Sequence, residues 1–312
     1  FDIQKRNTGN IVVGLQDNQS LLMLNGTWKT NTFSGGDGER VLFDKQDPDT
    51  LYSMNNCDFR KFKINNSSTI GCDFVAAMDD EPYTNCYNSG SISFLLRPAE
   101  IDPIDNKRIY LGTTFGINKS SDGGVTYTPE VVTDDSLRIT SIEISPLTPN
   151  IIYAAPWNIG WFHSGHSLYR SADYGETWVE VSGNLSNQYC TITDIAIDPS
   201  NPNRIWVTYG GVWFTQGGTL AHNRVFKTED ASQSPVVWDD MTYNLSPLPV
   251  TAIVYQPGSD DRVFVGTDGG IFYWDKQNNT WKCFSNNMPV SFVTDMRINT
   301  CSNELYCSTW GR

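Results

Sequence analysis

The chain has 312 residues, with 22 Lys+Arg against 35 Asp+Glu and a formal net charge of −13. That balance excludes a nucleic-acid-binding surface, where phosphate neutralisation demands a Lys/Arg excess, and it opposes docking on anionic membranes. No window approaches the roughly 18 consecutive apolar residues of a spanning helix. The opening Phe1-Asp2-Ile3-Gln4-Lys5-Arg6 lacks an apolar signal core, so the sequence reads as a mature chain or an excised piece.

Charged residues make up only 18%, while 25 Gly, 10 Trp, 14 Tyr and 15 Phe stand out. Asn, Ser, Thr and Asp are spread throughout and strong helix formers are scarce. This is the composition of many short strands joined by tight turns. One unit recurs along the chain: an alternating strand, an Asp/Pro/Asn turn, then a second strand with an aromatic near its start. The first copy is degenerate, with Asp2-Ile3-Gln4 followed by Ile11-Val12-Val13. The second runs from Val41 to Asp44, with Leu51-Tyr52. The third has Ile101-Asp102-Pro103 with Ile109-Tyr110-Leu111, and the fourth Ile139 to Ser145 with Ile152-Tyr153. The fifth is the clearest: Ile192 to Pro199, then Ile205-Trp206-Val207. Val250 to Gln256 with Val263-Phe264-Val265 makes the sixth. Val293 to Asn299 with Leu305-Tyr306 makes the seventh, which holds only its two inner strands.

About seven units of roughly 45 residues match the size of four-stranded propeller blades. The expected fold is all-β: a single β-propeller domain over residues 1–312, with little helix. Residues 65–91 are expected to form the longest irregular insertion.

Two repeats carry a sharper motif after the second strand. One comprises Ser120, Asp122, Gly124, Thr126 and Tyr127; the other comprises Ser171, Asp173, Gly175, Thr177 and Trp178. In this pattern the Asp carboxylate accepts N–H groups across the hairpin, the Gly supplies a positive φ and the aromatic packs beneath. Looser relatives are Thr228 and Asp230 with Trp238, Asp275 with Thr280-Trp281, and Asn25-Gly26-Thr27-Trp28.

With these residues the chain resembles the BNR/Asp-box β-propeller superfamily, which includes sialidases, xyloglucan hydrolases, sortilin-like ectodomains and exported bacterial proteins of unassigned role. It is most similar to the last group, through Gly14-Leu15-Gln16-Asp17-Asn18, Gly35-Gly36-Asp37-Gly38, Gly266-Thr267-Asp268-Gly269-Gly270 and Thr309-Trp310-Gly311-Arg312. The resemblance implies a secreted or cell-surface location, other domains in a larger parent chain, and Asp-box residues that build the fold rather than do chemistry. The catalytic sets of the enzymes are missing. Arg97-Pro98 is only a fragment of the sialidase Arg-Ile-Pro motif, and a single propeller supplies at most half of a xyloglucanase cleft.

Two residue groups fall in loops of the face opposite the Asp-box turns. Trp157, Trp161 and Phe162, with Tyr209, Trp213 and Phe214 from the next repeat, offer rings that stack on sugars, or that simply pack on a blade rim. His163 and His166 are too few and lack an acidic partner for a zinc site, and His222 reads as a solvated loop residue. Asp17, Asp37 and Asp268, with Arg312, read in decreasing order as a turn and ion-pair network, a calcium site, or an acid/base pair for glycoside cleavage. The leading expectation is a non-catalytic binding or scaffold propeller whose partner is a glycan or a protein. A glycoside hydrolase or polysaccharide lyase for plant or algal polysaccharide is the alternative.

Seven cysteines occur without a Cys-x-x-Cys pair. A Cys301–Cys307 bridge, and a second joining Cys72 to Cys57 or Cys86, are expected if the chain is exported, with buried thiols as the competing reading. Sequons stand at Asn18, Asn25, Asn65, Asn66, Asn118, Asn184, Asn244 and Asn278.

Overall fold

The computed structural model describes residues 1–4, 9–15, 19–29, 38–55, 58–65, 72–78, 98–113, 116–130, 132, 138–157, 167–185, 191–210, 224–285 and 288–310. All regular structure among them is β. No helix is long and apolar enough to cross a membrane. The strands form seven antiparallel sheets, six of four strands and one of two, and the fold is a seven-bladed β-propeller.

Contacts divide the chain into two compact units. The first, residues 1–131 with 299–304, holds three sheets. Sheet one is β1 (Asp2–Ile3), β2 (Ile11–Leu15), β3 (Gln19–Leu24) and β4 (Thr27–Trp28). Sheet two is β5 (Gly38–Phe43), β6 (Thr50–Asn55), β7 (Asp58–Ile64) and β8 (Cys72–Met78). Sheet three is β9 (Ala99–Ile101), β10 (Ile109–Thr113), β11 (Gly116–Ser120) and β12 (Thr128–Glu130). The expected irregular stretch at 65–91 thus contains a seven-residue strand, β8, that pairs with β7.

The second unit, residues 132–298 with 305–312, carries the rest. Sheet four is β13 (Arg138–Ile144), β14 (Ile152–Trp157), β15 (Tyr169–Ser171) and β16 (Val179–Glu180). Sheet five is β17 (Thr191–Asp198), β18 (Asn201–Gly210), β19 (Val225–Thr228) and β20 (Asp239–Asp240). Sheet six is β21 (Val250–Tyr255), β22 (Val263–Thr267), β23 (Gly270–Asp275) and β24 (Thr280–Cys283). Sheet seven is β25 (Val293–Asn299) and β26 (Glu304–Thr309).

Three of the first turns are capped the same way. Asp44 Oδ1 accepts the N–H groups of Gln46 (2.8 Å) and Asp47 (2.9 Å). Asp102 does so for Ile104 (2.8 Å) and Asp105 (3.0 Å), and Asn299 for Cys301 (2.9 Å) and Ser302 (3.2 Å). A short polar side chain that mimics a backbone acceptor is what stops the first strand and starts the turn.

The two sharper motifs form hairpin locks between third and fourth strands. Ser120 Oγ accepts the Gly124 N–H at 2.8 Å and donates to Asp122 Oδ1 at 2.8 Å. Asp122 in turn accepts the N–H groups of Val125 and Thr126, each at 3.0 Å, and the Thr126 hydroxyl at 2.7 Å. Ser171, Asp173, Gly175 and Thr177 repeat the pattern, with Gly124 and Gly175 at φ 90° and 87°. Bonding to the charged form holds the Asp122 carboxyl down at about 2.

Neighbouring sheets pack through continuous apolar clusters. Sheets four and five share Tyr153, Ile195, Val207, Phe226 and Trp238, and sheets five and six share Trp206, Val225, Val265, Trp274 and Trp281. The inner strands β13, β17 and β21 each bulge by one residue, at Thr140, Thr193 and Thr251. Each bulged hydroxyl donates to the backbone of the next inner strand, at Ile192 O (2.9 Å), Val250 O (2.7 Å) and Val293 O. A bulge re-aims a side chain out of the pleat, and here it turns a threonine into an inter-sheet tie.

The expected Cys301–Cys307 bridge is not formed; both are free thiols. The Asn299 cap draws the Cys301 N–H into the turn, so Cys301 does not stand on a strand opposite Cys307. Cys72 is buried in the core shared by sheets one and two, while Cys57 and Cys86 lie outside the described residues.

Candidate functional site

In an antiparallel four-stranded sheet the first and third connections share one end, and the second connection shares the other end with the link to the next sheet. The described part of that second end is best defined in sheets five and six. β22 and β23 are joined by a two-residue turn, Asp268-Gly269. Thr267 pins it: its hydroxyl donates to Gly270 O at 2.9 Å and accepts the Gly269 N–H at 3.0 Å. Sheet three repeats the device, Thr113 donating to Gly116 O at 3.1 Å.

The pinned turn fixes Asp268. The residue is partly exposed, but its Oδ1 is buried and makes no hydrogen bond among the described residues. Burial pushes its carboxyl pKa up, and the Arg224 guanidinium opposes that shift. Arg224 stands just before β19 and is only 1% exposed. Its N–H donates to Thr242 Oγ1 at 2.7 Å and its Nη2 to Pro247 O at 3.4 Å. The charge of a buried arginine next to sheet five thus acts on a partly buried carboxylate in the sheet-six turn.

The residues singled out from sequence fare differently. Tyr209 is the penultimate residue of β18 and is 2% exposed. Its N–H donates to Arg224 O at 2.9 Å, and its ring meets Phe226 edge-on at 5.6 Å. It is therefore part of the core between sheets four and five and offers no open face for stacking. Trp157 ends β14, paired with Arg138. Its side chain lies outside the described residues, as do Asp17, Asp37, Trp161, Phe162, His163, His166, Trp213, Phe214, His222 and Arg312. Among the described residues no three His, Cys, Asp or Glu side chains converge as metal ligands.

Sequence reasoning missed Arg224, and it missed Asp194. On β17, Asp194 Oδ1 accepts the N–H of Ile195 (2.9 Å), and Oδ2 accepts that of Ile253 on β21 (2.8 Å). In the first unit Asp2 does the same for Ile3 (2.9 Å) and Phe43 on β5 (2.8 Å). An inner strand is a sheet edge with unpaired N–H groups, and these carboxylates satisfy them two at a time. The residue Asp194 keeps a partly exposed edge, but protein surrounds its carboxylate. Burial pushes its pKa up to about 7, opposed by the backbone bond from Ile253, and the Asp295 charge adds to the rise. The only sequence signal was the recurrent Thr193-Asp194 pattern, repeated at Thr294-Asp295.

No known protein-family profile and no curated protein sequence matches the chain. Solved structures do. The GH74 xyloglucanase from Xanthomonas campestris superposes with a TM-score of 0.65 at 14% identity, over 98% of this chain and 50% of that one. YCF48 from Cyanidioschyzon merolae gives 0.58 at 12% identity, over 95% and 88%. Raptor from Chaetomium thermophilum gives 0.66 at 11%, over 99% and 27%. The chain spans about half the length of the GH74 structures it matches. At such identities the likeness is one of fold.

Proposed function

We propose that the chain is a non-catalytic, Asp-box-type propeller module of an exported protein, and that it binds a glycan at the connector end of sheets five and six. The observation that carries this reading is the Asp268 carboxylate. Its Oδ1 is buried without a partner among the described residues, the partly exposed residue sits on a pinned turn, and the Arg224 charge favours the ionised carboxylate against the effect of burial. An ionised carboxylate accepts sugar hydroxyls, and a rigid turn presents it at low entropic cost. The Ser-x-Asp-x-Gly-x-Thr locks support the Asp-box assignment. Export rests on that resemblance, because the free Cys301 and Cys307 lend it nothing.

The test is affinity electrophoresis in gels cast with xyloglucan and other plant or algal polysaccharides. Wild type is expected to be retarded by at least one of them, and Asp268→Asn and Asp268→Ala to run free. Equal mobility of all three proteins in every gel removes the glycan reading.

One observation favours the enzymatic alternative: a raised carboxyl pKa is what a general acid needs. Both glycosidase mechanisms also require a second carboxylate within about 5–9.5 Å. Reducing-sugar release by wild type and its loss in Asp268→Asn would establish hydrolysis instead of binding.

A further inference from the structure

Tyr209 is core and supplies the candidate site with no stacking face. Another tyrosine stands open beside it. Sheets four and five leave their fourth strands through the same tight turn. In one copy the Leu185 N–H donates to Ser182 O at 2.8 Å, and in the other the Leu245 N–H donates to Thr242 O at 2.9 Å. The asparagine of each turn then clasps a tryptophan of the following sheet through both of its backbone groups, Asn184 holding Trp238 and Asn244 holding Trp281. The first central residue has a positive φ in both, 50° at Gly183 and 39° at Tyr243. Gly, Asn and Asp dominate that position because they adopt it with least strain. A third copy, closed from the Met288 N–H to Ser285 O at 3.1 Å, has Asn286 there in sequence.

Tyr243 departs from this series. A bulky side chain at positive φ is strained, and the turn of sheet four has no room for one, since a Cβ at Gly183 would stand 1.9 Å from Val236 O. Burial does not offset the strain. Tyr243 is 62% exposed, its ring lying at 43° to that of the buried Trp274 with centroids 5.0 Å apart. Its neighbour Thr242 accepts the Arg224 N–H at 2.7 Å, and the Arg224 charge acts on Asp268. Further along the same segment, Pro247 O accepts Arg224 Nη2 at 3.4 Å. Leu248 abuts the Asp268-Gly269 turn, its Cδ1 lying 2.9 Å from where a Gly269 Cβ would stand. One segment, residues 242–248, thus joins the open ring to the turn that holds the carboxylate.

We propose that Tyr243 is the stacking platform of the glycan site, and that the ligand is a polysaccharide chain. A pyranose ring of the chain lays its apolar C–H face on the tyrosine, while a hydroxyl of the chain bonds Asp268. The inference rests on the glycan reading above and gives that site its apolar contact. Tyrosine offers a large amphipathic surface at low entropic cost. The closed turn and the Trp274 ring hold it in place before any ligand arrives, which is what preorganisation requires. Strain kept at an exposed residue fits a binding role, because packing gains nothing from it.

The test pairs thermal stability with affinity electrophoresis in the polysaccharide gels used for Asp268, xyloglucan among them. Tyr243→Asn removes the ring and suits the backbone, so its melting temperature should equal or exceed that of wild type. Its retardation should correspond to binding about fivefold weaker, the worth of one aromatic contact. Tyr243→Phe, which keeps the ring, should match wild type in both measurements. A lower melting temperature for Tyr243→Asn overturns the proposal, because the ring is then a roof over Trp274. So does retardation of Tyr243→Asn equal to that of wild type. If Asp268→Asn runs free in that same gel, the glycan reading stands and only the platform falls. Wild type running free in every gel removes both.

Discussion

The hydroxyl of Thr193 lies 2.7 Å from the carbonyl oxygen of Val250, and so joins the bulge of one inner strand to the first residue of the next. Thr140 and Thr251 stand in the same relation to Ile192 and Val293. Sheets of a propeller have no hydrogen-bond ladder between them, so these ties are directional contacts added to non-directional apolar packing. Thr193→Val keeps the shape and leaves the Val250 carbonyl without this donor. The expected loss is about 0.5–1.5 kcal/mol, the net worth of one such bond, while Thr193→Ser should retain most of it. Urea unfolding of the three proteins checks this; equal midpoints for Val and wild type would show the tie to be idle.

Gly183 and Gly123 both have positive φ, at 50° and 84°, yet they predict different outcomes. A Cβ at Gly123 would meet nothing within 4 Å, whereas one at Gly183 would stand 1.9 Å from Val236 O. The close approach arises because the next residue, Asn184, clasps Trp238: its Oδ1 accepts the Trp238 N–H at 2.7 Å and its Nδ2 donates to Trp238 O at 3.0 Å. Gly123→Ala should cost about 1 kcal/mol, the left-handed backbone penalty alone. Gly183→Ala must also displace backbone at the interface of sheets four and five, and is expected to exceed about 3 kcal/mol. Similar melting temperatures for the two variants would contradict the assigned packing.

Cys301 is exposed and Cys307 half-buried, with burial pushing the Cys307 thiol pKa upward. Reactivity follows thiolate fraction and access. Iodoacetamide applied to the native protein should therefore label Cys301 first and Cys307 slowly, and unfolding should equalise them. Peptide mass spectrometry reads the order. Recovery of a 301–307 disulfide peptide from unreduced protein would reverse this assignment.

What the sequence disclosed and what it hid divide along physical lines. The seven repeats were legible because Asp44, Asp102, Asp198 and Asn299 recur at the end of a first strand, each before an aromatic second strand. Fourth strands were not, because Thr27–Trp28, Val179–Glu180 and Asp239–Asp240 are too short to show a period of two. Tyr209 looked like a loop residue because two glycines follow it, but its pairing with Ile192 extends β18 and buries the ring. Cys301 looked opposite Cys307 until the Asn299 cap placed it in a turn. Asp194 reads as an ordinary outward polar residue, and only the neighbouring strand, which supplies the Ile253 N–H, gives it a role.

That role makes Asp194 the source of a pH effect opposite in sign to that of Asp122 and Asp173. Asp122 and Asp173 have depressed pKa values, so their contribution is present above about pH 4 and lost as pH falls through the folded value. Asp194 has its folded pKa raised to about 7 from 3.8. Between those values the folded state binds the proton and the unfolded state does not, so stability from this group declines as pH rises from about 4 to 7. Burial is the main cause, with the Asp295 charge adding to it and the Arg297 charge and the N–H groups of Ile253 and Ile195 opposing it. Asp194→Asn keeps one acceptor oxygen and removes the titration. The difference in melting temperature, variant minus wild type, should therefore increase steadily from pH 4 to pH 7. A difference that stays flat across that range would mean that the Asp194 carboxyl titrates in the folded protein as it does in the unfolded chain.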